Sequence, residues 1–170
     1  RSRPSNRQTG LGRPPQSLAF AVEDGYPVPM PRSNRYMLPG HIYHLTHRCH
    51  DRSFLLRFAR DRSEYRRRLR EGLKRYRVAL LGYCITSNHI HLIARAEEPT
   101  AISRMMQKVQ GEFAQSYNTR KARSGAFWAD RFHCTMIDSE TYLWNCLKYI
   151  DTNMVRAHAV PHPRDWQWCG

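Results

Sequence analysis

Two histidines separated by one isoleucine, in the segment His89-Ile90-His91, form the strongest local signal for chemistry in the sequence. Side chains alternate along a β-strand, so both imidazoles would project from one face while Ile90 and Leu92 point to the other. Two imidazoles on one face can hold one divalent metal ion. Read alone, the same pattern also fits two ordinary polar residues on an exposed strand.

A tyrosine and an asparagine, Tyr149 and Asn153, lie four residues apart in a segment of helical periodicity, which places them on one helix face. A tyrosine beside a metal ion can attack phosphorus, because the metal polarises a phosphoryl oxygen and stabilises charge in the transition state. Free phenol has a pKa of about 10, so such a nucleophile needs activation. The asparagine would supply an oxygen ligand or an orienting hydrogen bond. The alternative is a tyrosine packed at the edge of the core.

Three other tyrosines are candidates for the same role: Tyr43, Tyr117 and Tyr142. Tyr142 precedes Tyr149 by two helical turns, roughly 10 Å along the axis, so both cannot lie equally close to the histidines. Asn153 favours Tyr149, because a carboxamide one turn beyond it can complete the metal site that the nucleophile approaches.

The elements that position these residues follow from the apolar periodicity. We predict, in chain order, a strand at 41–49, a helix at 61–77, strands at 78–85 and 89–94, a helix capped by Thr100, a strand at 132–137, and a helix capped by Asp138 or Ser139 that runs to about Asn153. The order β-α-β-β-α-β followed by one helix predicts an α+β fold. Its natural closure is a ferredoxin-like four-stranded antiparallel sheet with helices on one face, plus a further helix carrying the nucleophile.

Composition divides the chain into three parts. Residues 1–33 are rich in Pro, Arg, Ser, Gly and Gln, which predicts a disordered basic arm or an inert tail. Residues 34–160 form the predicted folded domain, and residues 161–170 an irregular C-terminal tail.

The charge of the chain points to a polyanionic partner. Among 170 residues, 28 are Lys or Arg and 14 are Asp or Glu, so the formal net charge is +14. This excess favours nucleic acid or an acidic membrane surface. No apolar run approaches the roughly 18 residues of a membrane span, and the first thirty residues lack a signal-peptide core. The five cysteines include no CxxC pair, which favours a reducing compartment. A metallohydrolase barrel using His-x-His needs about 200 residues or more, so the length argues against it.

Four motifs together resemble a known family. They are Gly40-His-Ile-Tyr-His-Leu-Thr-His-Arg48, Asn88-His-Ile-His-Leu92, Phe127-Trp-Ala-Asp-Arg-Phe132 and Tyr149-Ile-Asp-Thr-Asn-Met-Val-Arg-Ala157. In order and spacing they resemble the REP-associated tyrosine transposases, which have an IS200-like transposase domain and belong to the HUH superfamily of single-strand DNA nucleases. The resemblance covers about residues 33–168.

The resemblance implies a metal-dependent single-strand DNA endonuclease and strand transferase. Mg²⁺ or Mn²⁺ would be held by His89, His91 and Asn153, and Tyr149 would attack a DNA phosphate to leave a 5′-phosphotyrosine link and a free 3′-OH. Relatives recognise hairpins formed by repeated extragenic palindromes, so single-stranded or hairpin DNA is the expected partner, without a membrane. A homodimer and a location in the bacterial cytoplasm, associated with the nucleoid, are further expectations.

The sequence departs from the family pattern at three places that leave the expected ligands and nucleophile intact. Thr86-Ser87 replaces Met-Pro before Asn88, Met154 replaces a proline, and Arg48-Cys49-His50 replaces Arg-Gly-Asn. These departures leave the DNA target open. A non-catalytic nucleic-acid-binding module and an inactive domesticated transposase are the alternative functions. Basic residues predicted to contact DNA are Arg32, Arg35, Arg48, Arg66, Arg70, Lys74, Arg131 and Arg156.

Overall fold

The computed structural model describes residues 20–23, 26–29 and 35–170. The chain divides into two units, residues 1–33 and 34–170. In the first unit, strand β1 (Phe20–Glu23) pairs antiparallel with β2 (Tyr26–Pro29). The rest of the predicted basic arm, including Arg32, lies outside the described residues. Across the part of the chain described, no helix is long and apolar enough to cross a membrane.

The second unit is built on a four-stranded antiparallel sheet. Its strands are β3 (Ile42–Arg48), β4 (Ala79–Ile85), β5 (His89–Arg95) and β6 (His133–Ile137), in the order β4-β5-β3-β6. Every neighbouring pair is antiparallel. This order confirms the predicted ferredoxin-like topology and places β5 and β3 at the centre of the sheet.

Two long helices cover one face of the sheet. Helix α1 (Ala59–Tyr76) and helix α2 (Ala101–Arg120) pack together over the apolar side of the central strands. The predicted stripe of α2 is buried throughout: Ile102, Met105, Met106, Val109, Phe113 and Tyr117. The two helices approach closely at Gly72, where a Cβ atom would stand 2.5 Å from a methyl of Val109, so this position requires glycine.

Helix α3 (Glu140–Asp151) packs on the opposite face of the sheet, followed by the short helix α4 (Asn153–Arg156). Ile150 and Met154 are buried there with Ile93 and Cys84 of the sheet. The predicted cap at Ser139 is confirmed, since its side chain accepts a hydrogen bond from the Tyr142 amide.

The prediction of one helix running to about Asn153 is wrong in one respect. The helix breaks at Thr152, so Asn153 begins α4 instead of ending α3. The Thr152 hydroxyl donates to the Lys148 carbonyl at 2.7 Å, and the backbone of Thr152 leaves helical geometry (ψ 0°). Hydroxyl bonding to the preceding turn competes with the helix and bends it.

The C-terminal segment 161–170 belongs to the compact second unit. After a single 3₁₀ turn at Pro163–Asp165, the chain pairs with the free edge of β4 through an antiparallel bridge between Cys84 and Cys169. Trp168 is buried, and its ring stacks on the Arg62 guanidinium at 3.9 Å. The segment is irregular, as predicted, but it is docked on the sheet.

Candidate nuclease site

The central strands place the candidate site on the face covered by α3. In β5 the buried Ile90 and Leu92 point toward α1 and α2, so His89 and His91 point the other way, as predicted. The β3–β5 register sets Thr46 opposite His91 and Arg48 opposite His89. Alternation along β3 adds His44 to the same face.

His91 is the centre of a hydrogen-bonded cluster and is 4% exposed. Its Nδ1 atom lies 3.0 Å from His44 Nε2 and 3.1 Å from Thr46 Oγ1. Its Nε2 atom lies 3.5 Å from the Asn153 side-chain amide. One ring nitrogen is thus held by β3, while the other faces the beginning of α4.

His89 is oriented by the turn that precedes its strand. Its Nδ1 lies 2.7 Å from Asn88 Oδ1 and 3.0 Å from Thr86 Oγ1, and the Thr86 hydroxyl donates to the His89 carbonyl. A carboxamide oxygen only accepts, so Nδ1 carries the ring proton and Nε2 keeps its lone pair. The His89 and His91 rings meet edge to face, with centroids 4.8 Å apart.

Burial keeps these imidazoles neutral. Desolvation lowers the pKa of His91 to about 3, with a smaller contribution from the charges of His89, His44 and Arg48. It lowers the pKa of His89 to about 4, assisted by Arg48, and it lowers the pKa of His44 as well. Neutral imidazole is the form that binds metal ions.

Tyr149 is the candidate nucleophile that the structure brings to the histidines. Its ring centroid lies 5.4 Å from that of His91 and 6.4 Å from that of His44. The Tyr149 side chain is 38% exposed, so a substrate can reach it. The Arg156 guanidinium stands over the tyrosine ring at 5.1 Å, which adds a positive charge beside the phenol.

The competing tyrosines lie elsewhere. Tyr43 and Tyr117 are buried on the α1–α2 face, on the opposite side of the sheet, and the Tyr43 hydroxyl accepts a hydrogen bond from the Leu38 amide. Tyr142 lies two turns before Tyr149 on α3, beside the Cys146 thiol.

The predicted metal ligands fit a divalent ion by their chemistry. His89 and His91 are neutral, each has one ring nitrogen fixed by a polar neighbour, and each keeps the other for coordination, as metal-binding histidines do. The oxygen and nitrogen of an amide are assigned rather than seen, so the Asn153 oxygen can equally face His91. Among the described residues, no group of three or more His, Cys, Asp or Glu side chains is arranged to hold a metal ion. The predicted set contains two histidines and one amide.

The residues predicted to contact DNA separate into groups. Arg48 and Arg156 border the site, beside His89 and Tyr149. Arg70 and Lys74 are exposed on α1, on the other side of the sheet, and Arg66 donates from the same helix to the Gln167 carbonyl. Arg35 is half-buried against Phe132 and donates to its carbonyl, and Arg131 is half-buried in the same loop.

Sequence reasoning missed the residues that hold the histidines. His44, Thr46 and Thr86 contact His89 or His91 directly, yet none was predicted to be part of the site. The sequence contained a signal for two of them. His44 and Thr46 follow Ile42 by two and four residues in the predicted strand, so alternation places all three side chains on one face. Their pairing with His91 depends on the strand register, which the sequence pattern does not specify.

Comparison with known proteins places the chain in a family. Residues 38–153, about two thirds of the chain, match the family model described as IS200-like transposase. No curated protein sequence matches the chain significantly. Together with the antiparallel sheet and the side chains clustered on it, this match identifies the class of protein as a DNA-processing enzyme of the transposase type. The chain belongs to the IS200-like transposase family.

Two solved structures resemble the fold. A REP-associated tyrosine transposase bound to a REP hairpin aligns with a TM-score of 0.68 and 19% identity, over 82% of each chain. A protein of Deinococcus radiodurans R1, provisionally assigned as a transposase, aligns with a TM-score of 0.50 and 16% identity, over 71% of this chain and 96% of its own.

Proposed function

We propose that this protein is a metal-dependent single-strand DNA endonuclease and strand transferase that works through a 5′-phosphotyrosine intermediate. The observation that carries the proposal is the convergence of Tyr149, His91 and Asn153 at one point, although they come from three different elements. The tyrosine is partly exposed, His91 is buried, His89 is half-buried, and both imidazoles are neutral. This arrangement suits a nucleophile that meets substrate beside a pair of metal ligands.

The chemistry assigned to the tyrosine balances as one exchange of oxygens on phosphorus. The Tyr149 oxygen loses its proton and attacks the phosphorus, the bond from phosphorus to O3′ breaks, and O3′ takes up a proton from solvent. The DNA stays joined to Tyr149 through its 5′ phosphate. Attack by a 3′-OH on that phosphate releases the tyrosine and reseals or transfers the strand.

The ion that His89, His91 and Asn153 would hold, Mg²⁺ or Mn²⁺, supplies Lewis-acid polarisation of a phosphoryl oxygen. The protein contributes orientation. Thr46 and His44 fix the His91 ring, Thr86 and Asn88 fix the His89 ring, and Arg156 holds a positive charge where the scissile phosphate must approach Tyr149.

Hairpin DNA with a single-stranded flank is the proposed substrate. The formal net charge of +14 favours a polyanion, and one of the two similar structures described above is bound to a REP hairpin. Arg48 and Arg156 would contact phosphates beside the site, and basic residues distant from it would add affinity that is independent of sequence.

Covalent trapping tests the proposal. We expect wild type, incubated with end-labelled hairpin DNA and Mn²⁺, to give a protein–DNA adduct on a denaturing gel, with the DNA on the peptide that contains Tyr149. Tyr149→Phe should bind the hairpin and form no adduct, whereas the matched control Tyr142→Phe should form it normally. Cleavage in excess EDTA, an adduct on Tyr142, or hairpin binding by wild type without any adduct would contradict the mechanism; the last result would favour a non-catalytic binding module.

A further inference from the structure

Two phenylalanines are exposed on the loop that joins β3 to α1. The Phe54 side chain is 66% exposed and that of Phe58 is 53% exposed, whereas Phe113, Phe127 and Phe132 are all buried. Exposed aromatic rings lose the stabilisation that burial would give, so a pair on one short loop needs a reason other than folding.

The loop that carries them is rigidly held. The Cys49 amide donates to the Asn88 carbonyl at 2.8 Å, and the Leu56 amide donates to the Ser87 carbonyl at 2.9 Å. Leu56, which lies between the two phenylalanines in sequence, is completely buried, and the Arg62 guanidinium donates a hydrogen bond to the Leu56 carbonyl. The rings are therefore displayed by an ordered backbone, and ordering them costs little when a ligand binds.

Positive charge lies beside the Phe58 ring and on the same loop. Lys121 Nζ lies 4.8 Å and the Arg57 guanidinium 5.4 Å from the centre of the Phe58 ring, and Arg52 is exposed on the same loop. The acidic residue of the loop, Asp51, is paired with His50 at 3.0 Å. We name Phe54, Phe58, Arg52, Arg57 and Lys121 the aromatic platform.

The aromatic platform is attached to the candidate site. The Ser87–Asn88 turn, to which the loop is hydrogen-bonded, leads directly into His89, and the Asn88 side chain both contacts the His89 ring and donates to the Arg52 carbonyl. Arg48, paired with His89 across the sheet, is the last residue of β3 before the loop. The loop that carries the platform and the strand that carries His89 are therefore fixed to each other through the Ser87–Asn88 turn.

We propose that the aromatic platform binds the unpaired bases of the single strand that flanks the hairpin, stacking them on Phe54 and Phe58. The proposal rests on the function proposed above and adds a binding surface to it. Aromatic rings interleaved with cations suit a single strand, because its bases expose flat faces and its phosphates carry charge. A double-stranded stem has no free base faces to offer.

Binding measured in the Tyr149→Phe background, where no adduct forms, tests the platform. The probes are a blunt hairpin and the same hairpin with a single-stranded flank of roughly ten nucleotides. We expect Phe54→Ala and Phe58→Ala each to weaken binding of the flanked hairpin by about fivefold or more and to leave the blunt hairpin unaffected. Phe54→Trp should retain affinity. Trp144→Ala is the control, since Trp144 is 63% exposed on α3.

Three outcomes would overturn the platform. The first is unchanged binding of the flanked hairpin, and the second is an equal loss of affinity for the blunt hairpin. The third is full affinity in Phe54→Leu, which keeps an apolar side chain without a ring and would indicate a surface for another protein. Trapping of the adduct by wild type separates the two proposals. Adduct formation with unaltered flank binding in the phenylalanine variants rejects the platform alone. Flank binding that depends on Phe54, without any adduct, rejects the catalytic function alone.

Discussion

At the scale of single residues, polar neighbours orient the two imidazoles of the candidate site. Thr86 and Asn88 fix the proton of His89 on Nδ1, and Thr46 and His44 occupy Nδ1 of His91. Burial keeps both rings neutral at pH 7. Nε2 of His89 is then available to a cation without a competing proton, which is a property of the folded protein and not of the histidine alone.

Asn153→Ala tests the proposed role of Asn153 as a third metal ligand. Removing the carboxamide leaves Tyr149 in place, so we expect slow cleavage that recovers at high Mn²⁺, with the concentration needed for half-maximal activity raised about tenfold or more. Titration of activity against Mn²⁺ measures the shift. Asn145→Ala, an exposed carboxamide on α3, is the matched control. An unaltered Mn²⁺ titration in Asn153→Ala would remove this residue from the ligand set.

His47 connects pH to stability on the other side of the sheet. Its ring stacks on Trp128 at 4.3 Å and its Nε2 donates to the Asp130 carbonyl at 2.6 Å. Burial lowers the pKa of His47 to about 4, below its unfolded value of about 6.5. The unfolded chain therefore binds the proton first, and the stability contribution is complete above pH 6.5 and is lost as the pH falls toward 4.

From pH 7 to pH 5 we expect His47 to account for a loss of about 2 kcal/mol in the free energy of unfolding. Urea unfolding of wild type and His47→Gln at both pH values measures it, because glutamine can still donate to Asp130 but does not titrate. The loss should be smaller in the variant by about that amount. Equal losses in the two proteins would show that the pKa of His47 is the same in the folded and unfolded states.

At the scale of elements, short segments outside the main helices position the site. The break at Thr152 lets α4 turn, so that Asn153 faces His91 while Met154 enters the core. The docked C-terminal segment covers the edge of β4, and the Tyr83 and Gly170 backbones exchange hydrogen bonds there. An edge strand with unpaired amides invites aggregation, so this cover also protects the sheet.

Trp168→Ala tests the docking. Trp168 is 7% exposed, stacks on Arg62, and donates from its indole to Ser63. We expect the free energy of unfolding to fall by about 3 kcal/mol, because truncation leaves a cavity beside a buried guanidinium. Trp144→Ala, which removes an exposed tryptophan, should change it by less than about 0.5 kcal/mol. Equal stability of the two variants would mean that the segment is not docked in solution.

At the scale of the whole molecule, positive charge is present on both sides of the sheet. Arg48 and Arg156 border the site, while Arg70 and Lys74 are exposed on α1 at the opposite face. The sheet lies between the two sets, so a DNA that contacts both must pass around it. A longer or folded DNA would be needed to engage both sets, which is consistent with a hairpin substrate.

Removal of residues 1–33 tests the predicted basic arm. This part of the chain contains Arg1, Arg3, Arg7, Arg13 and Arg32. We expect weaker DNA binding and a flatter salt dependence, with the slope of log K against log salt reduced by about 0.7 for each lost phosphate contact on single strands. Fluorescence anisotropy at several salt concentrations measures the slope. An unaltered slope would mean that the arm does not contact DNA in this assay.

The amino-acid pattern alone predicts which face of each element is buried. Alternation at 89–92 placed both histidines on one side of β5, and the stripe from Ile102 to Tyr117 marked the buried side of α2. Both are local consequences of the strand and helix periods. The four motifs also sufficed to identify the family, because their order and spacing along the chain are properties of the sequence alone.

Which elements face one another depends on contacts between distant parts of the chain. Three features join residues more than thirty positions apart. They are the packing of α3 on the side of the sheet opposite α1 and α2, the strand register that sets Thr46 beside His91, and the hydrogen bonds that attach the loop of Phe54 and Phe58 to the Ser87–Asn88 turn. A periodic pattern records the buried side of its own element but not the element that covers it. For the same reason the sequence does not show that Arg70 and Lys74 lie on the side of the sheet opposite Arg48.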